Sequence, residues 1–106
     1  MFGFLKKLFA DDSDALVAAL KQGGTVIDVR SPGEFASGSV PGAINIPHTD
    51  IRKAKKKLAK AKQPLILCCA SGMRSSVALQ EVKALGYDSA INGKTWGRVL
   101  SVKKGL

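Results

Sequence analysis

The chain has 106 residues, 45% of them apolar and 24% charged, with 11 glycines and 4 prolines. This is the composition of one ordinary globular domain and argues against disorder, collagen or a repeat array. Seventeen Lys and Arg against eight Asp and Glu leave a net charge of +9, so anionic partners are expected, while the fold itself is left open by charge.

Residues 1–9 place Phe2, Phe4, Leu5, Leu8 and Phe9 around Lys6 and Lys7. The pattern predicts a short amphipathic segment over residues 1–12, ahead of a domain over 13–106. It is too short for a membrane span and lacks the small-residue cleavage site that follows a signal-peptide core. A cytoplasmic location is therefore expected. The aromatics are expected to dock on the domain, with a weak membrane contact as the sharper alternative.

Ser13 or Asp14 caps a predicted helix whose apolar face is Ala15, Leu16, Ala19 and Leu20, ended by Gly23 and Gly24. The β-branched run 25–29 reads as a strand that stops at the turn formers Ser31, Pro32 and Gly33. A shorter strand is expected over 43–46. Asp50 is the natural N-cap of a predicted helix over 51–62, with Ile51, Ala54, Leu58 and Ala61 at helical spacing. That segment carries seven positive charges, Arg52, Lys53, Lys55, Lys56, Lys57, Lys60 and Lys62. They read first as a solvated face and next as a means of steering anions. Nucleic-acid binding ranks low, because no aromatic is interleaved for stacking.

The uninterrupted apolar run 65–69 predicts a central strand covered on both faces. Residues 75–85 predict a helix with Val77, Ala78, Leu79, Val82 and Leu85 inward, and 89–91 a last strand. Trp96 is expected to pack the tail. Strands alternating with helices indicate an α/β fold with a parallel sheet, whose ligands sit at the carboxyl ends of the strands.

The loop Cys69-Ala70-Ser71-Gly72-Met73-Arg74 falls at such an end, before a helix start. Helix amides and dipole favour an anion there. A tight turn through Gly72 aims backbone N–H groups inward, and Arg74 adds a permanent cation. Together they predict a Cys69 thiol with a depressed pKa, a nucleophile in character. Cys68 and Cys69 are the only cysteines and are adjacent. Since successive strand residues face opposite sides, Cys68 is expected in the packing. No Cys-x-x-Cys pair exists and His48 is the only histidine, which argues against zinc. His48 reads as a surface or capping residue.

Three ordered motifs, Val26-Ile27-Asp28-Val29-Arg30-Ser31-Pro32-Gly33-Glu34-Phe35, Val40-Pro41-Gly42-Ala43-Ile44-Asn45-Ile46-Pro47 and Cys69-x-x-Gly72-x-Arg74-Ser75, resemble those of a single-domain rhodanese, a thiosulfate:sulfurtransferase. The resemblance covers residues 16–96 and implies a five-stranded parallel sheet flanked by helices on both faces. It implies that Cys69 takes a sulfane sulfur from thiosulfate, a persulfide or a polysulfide and holds it as a persulfide. The amides of Ala70, Ser71, Gly72, Met73 and Arg74 would cradle that sulfur until a thiol or cyanide collects it. Asp28, Arg30, Glu34 and Ser75 would brace the loop, and no metal or organic cofactor is needed. The chain departs from the family at Ser39, where many members have histidine, and at Gly93-Lys94, where a double glycine is usual.

Two rival functions fit the same letters. A carrier module would accept sulfur on Cys69 and present it to a partner protein. A phosphatase would use the frame Cys68-x5-Arg74-Ser75; against it, Leu67 stands where a histidine is expected, and Gly72 is in register with Cys69.

Overall fold

The computed structural model describes residues 13–106. The expected amphipathic segment over 1–12 lies outside them. Four strands, β1 (Thr25–Asp28), β2 (Ile44–Asn45), β3 (Leu65–Cys69) and β4 (Ile91–Thr95), form one parallel sheet in the order β2-β1-β3-β4. The fifth strand implied by the resemblance has no counterpart among the described residues. The other described segments become helices, turns and connections.

Helix α1 includes residues 13–21, and α2 (Pro32–Ser37) follows β1. A 3-10 helix (His48–Ala54) then leads into α3 (Lys55–Lys60), α4 (Met73–Ala84) follows β3, and α5 (Trp96–Lys104) follows β4. The period of two along β1 and β3 sends alternate residues to opposite faces of the sheet. Ile27, Leu65, Leu67 and Cys69 pack with Ile51, Leu58, Ala78 and Val82 from the 3-10 helix, α3 and α4. Val26, Ile66 and Cys68 pack with Leu16, Ala19 and Val99 from α1 and α5. All five residues of β3 are buried, as befits a strand with both faces covered.

Several expectations are corrected. The lysine-rich segment is two pieces joined at Ala54 (φ −101°, ψ 25°), and Asp50 caps neither. Ile51 and Leu58 are buried in both arrangements, so the apolar spacing does not distinguish them. Val77 is 53% exposed, and the inward line of α4 is Ser75, Ala78 and Val82, at helical spacing from one another. Ser31 to Gly33 open α2 instead of ending the chain's order in a turn. Ser31 accepts from Glu34 N–H while the Glu34 carboxylate accepts from Ser31 N–H, the reciprocal pair of a capping box. The last strand runs past the expected 89–91 to Thr95, because a register shift of β4 against Leu67 and Cys68 lets it continue through Gly93. Gly93 has no room for a side chain there: a Cβ would meet Val99 Cγ2 at 2.6 Å and Ile66 Cγ2 at 3.1 Å. Thr95 then caps α5 by accepting from Arg98 N–H at 3.1 Å.

Candidate active site

β3 ends at Cys69 and α4 begins at Met73, so three residues turn the chain from strand into helix. Gly72 makes this turn at φ +98°, the left-handed region that favours glycine. With Gly72 as N-cap, the first turn of α4 lies over the Cys69 sulfur. Gly72 N–H donates to Sγ at 2.9 Å and Ser75 N–H at 3.4 Å. The Cys69 thiol in turn reaches Ser75 Oγ at 3.5 Å. Burial alone would push this thiol up. Hydrogen bonds from the Ser75 side chain and from the N–H groups of Ser75, Gly72 and Ser71 outweigh burial and hold it below the ordinary thiol value.

Arg74 does not turn toward the sulfur. Its Nη1 and Nη2 donate to the two carboxylate oxygens of Glu34 at 2.7 and 2.9 Å. The hydrogen bonds that lower the thiol come from amides and a hydroxyl, while Arg74, still in charge interaction with Cys69, ties the start of α4 to α2. Glu34 is drawn down to about 2, chiefly by its hydrogen bond to Arg74 and next by Ser31 N–H.

Asp28 and Arg30 form a buried ion pair beside the sheet face that carries Cys68. Arg30 Nε and Nη2 donate to the Asp28 carboxylate at 3.0 and 2.7 Å, and Nη2 also donates to Gly38 O at 2.6 Å. The guanidinium lies 4.6 Å from the centroid of Trp96. This pair thus joins the end of β1 to α2 and α5, and among the described residues it makes no hydrogen bond to residues 69–75. Glu34 is the member of that group of three that meets the loop. Ala70, Ser71 and Met73 are exposed, and Met73 donates only through its N–H, to Ser71 Oγ at 3.5 Å.

Cys68 belongs to the opposite core, and its thiol is pushed up to about 12, first by burial and then by the Asp28 carboxylate. A phosphatase frame would place its nucleophile in that apolar packing. No three of His, Cys, Asp and Glu among the described residues are grouped to hold a metal ion.

Asn92 was not among the expected site residues, yet its Oδ1 accepts from Ser75 Oγ–H at 2.8 Å and from Lys94 N–H at 2.8 Å. The Asn92-Gly93 pair is the sequence signal that marks it, as a turn former directly after the expected strand 89–91. The lysine-rich segment lines a separate groove of about 750 Å³ with Asn45, Ile46, Pro47 and Asp50. None of the residues 69–75 lines it.

The sequence profile of the Rhodanese-like domain matches residues 12–94. The human thiosulfate:glutathione sulfurtransferase is 35% identical over 80 residues, covering 63% of this chain and 70% of that protein. The tRNA 2-selenouridine synthase of Cronobacter sakazakii is 33% identical over 112 residues, 73% of this chain, and the chain spans only 30% of its length. Among solved structures, the human single-domain sulfurtransferase TSTD1 superposes with a TM-score of 0.58 at 34% identity, covering 74% of this chain and 80% of that one.

Proposed function

The chain belongs to the rhodanese-like domain family, and from that membership we propose that it moves a sulfane sulfur from a small anionic donor to a thiol through a persulfide on Cys69. The observation that carries this reading is the Cys69 sulfur lying under two N–H donors at the start of a twelve-residue helix. An anion is stabilised there by aligned amides and the helix dipole. The adjacent Cys68 has no such environment.

With thiosulfate as donor, the Cys69 thiolate attacks the outer sulfur, the S–S bond of thiosulfate breaks, and sulfite leaves with the bonding pair. The persulfide anion then takes the place of the thiolate among the loop amides. An acceptor thiolate attacks the terminal sulfur of the protonated persulfide, forms its own persulfide, and returns Cys69 as thiolate. Written so, the cycle uses no metal or organic cofactor. A persulfide or polysulfide donor follows the same path with a thiolate or shorter polysulfide as leaving group. Cys69 has no exposed surface, so the donor reaches the sulfur only if the loop, where Ala70, Ser71 and Met73 are exposed, gives way. The lysine-lined groove raises the local concentration of anions near the molecule.

The carrier reading is favoured by a different observation. Met73 and Val77 are 77% and 53% exposed and lie one turn apart on α4, beside the loop. They present an apolar stripe on which a protein acceptor can sit.

Incubation with thiosulfate followed by intact-mass measurement tests the main reading. Wild type and Cys68→Ser gain one reducible sulfur atom, and Cys69→Ser gains none. Sulfur added to Cys69→Ser would overturn the assignment. Steady-state transfer to free thiols separates an enzyme from a carrier, which would form the persulfide and turn over little.

A further inference from the structure

The Ser75 hydroxyl has one hydrogen and stands among four acceptors: Asn92 Oδ1 at 2.8 Å, Gly72 O at 3.0 Å, Lys94 O at 3.5 Å and Cys69 Sγ at 3.5 Å. Which acceptor receives that hydrogen decides whether Ser75 supports a charged or a neutral sulfur.

The orientation of the Asn92 amide is settled by its second contact. Lys94 N–H donates to Asn92 Oδ1 at 2.8 Å, so the oxygen of the amide, and not its NH₂ group, faces both Lys94 and Ser75. Lys94, directly after Gly93, holds φ +70°. An amide oxygen only accepts, so the short Ser75 to Asn92 contact requires Ser75 to donate. With the hydrogen on Asn92, a lone pair of Ser75 Oγ is left for the Cys69 thiol hydrogen, and the support the hydroxyl gives the thiolate is drawn only when that hydrogen leaves Asn92.

We propose that Asn92 is a positioning residue that restrains the ionisation of Cys69, by competing with the sulfur for the single hydroxyl hydrogen of Ser75. Its significance for sulfur transfer rests on the function proposed above, whereas the competition itself is a property of the resting thiol. Asn92 reaches this position because it lies beside Leu67 in the sheet, on the face that also carries Cys69 and is covered by α4. The charged groups around the sulfur do not enter the competition. Arg74 on α4 is paired with Glu34 of α2, Arg30 is paired with Asp28 at the end of β1, and Lys94 of β4 carries the same charge in every variant compared. Replacing Asn92 by leucine changes no charge.

The test is a titration of Cys69 by its ultraviolet thiolate absorbance, with Cys69→Ser as blank. Asn92→Leu removes the nearest competitor for the Ser75 hydrogen, leaves Gly72 O at 3.0 Å and the charged sulfur at 3.5 Å to share it, and moves the midpoint to lower pH by up to about one unit, at most roughly tenfold more thiolate well below the midpoint. In a Ser75→Ala background the same substitution moves nothing. Asn92→Asp keeps the acceptor oxygen and shows no downward shift. A merely structural role predicts the opposite sign, because a loosened loop withdraws the N–H groups and raises the midpoint. An unchanged or raised midpoint in Asn92→Leu, or a downward shift that persists without Ser75, overturns the proposal. Where Asn92→Leu does not fold, Asn92→Ala makes the same cut with less bulk and is read in the same way. The titration needs no sulfur donor, so a failure of persulfide formation in wild type would count against the proposed function and leave this comparison intact.

Discussion

Glu34 grips Arg74 at both ends of its guanidinium, with Nη1 at 2.7 Å from one carboxylate oxygen and Nη2 at 2.9 Å from the other. The same carboxylate closes the capping box of α2 with Ser31. The contact therefore joins the first turn of α2 to the first turn of α4 across forty residues of chain.

The pH dependence of this tie has a definite sign. The Glu34 carboxyl is lowered from 4.5 to about 2, so its contribution to stability is fully present above 4.5 and disappears as pH falls toward 2. Thermal unfolding of wild type and Glu34→Gln should show a small gap at neutral pH, since the pair is partly solvated. The gap should close near pH 2. A gap that is constant across this window would mean that the carboxylate charge contributes nothing.

The Asp28–Arg30 pair behaves differently because both side chains are buried, at 0% and 5% exposure. Arg30→Ala strands the Asp28 carboxylate without its partner and is expected to cost about 3–5 kcal/mol in chemical denaturation. Arg30→Lys should recover only part of this, because an ammonium cannot serve Asp28, Gly38 O and the face of Trp96 together. A cost under about 1 kcal/mol for Arg30→Ala would place the pair with solvated surface bridges.

Gly72→Ala isolates backbone conformation from crowding. An added Cβ would meet Lys94 Cβ at 3.5 Å, an ordinary contact, so the cost comes from holding φ +98° with a side chain. About 1–2 kcal/mol of stability should be lost. Any relaxation of the turn tilts Gly72 N–H away from the sulfur, so the Cys69 thiol should titrate at higher pH than in wild type and alkylate more slowly near neutrality. Loss of stability with an unaltered titration would show that this amide does not support the thiolate.

What the sequence makes legible follows the range of each interaction. The strand over 65–69 and the opposed directions of Cys68 and Cys69 follow from an apolar run and a two-residue period, both local. The position of the loop between that strand and a helix is local as well. Arg74 meeting Glu34, and Asn92 meeting Ser75, depend on tertiary placement across forty and seventeen residues, so neither is visible in a short window. β4 hides its length because a bulge at Gly93 resembles a turn, and α5 buries only Val99, too little to show as an apolar stripe. The Ser31-x-x-Glu34 signal of α2 was present in the letters, though Pro32-Gly33 between them reads as a turn.

The back-to-back orientation of the two cysteines has a chemical corollary. A thiol that becomes oxidised or sulfur-loaded is often discharged by a resolving cysteine in the same molecule. Here the only other cysteine is on the far side of a fully buried strand, and pairing with it would require the central strand to come apart. Cys68 is therefore no resolving partner for Cys69 while the sheet is intact.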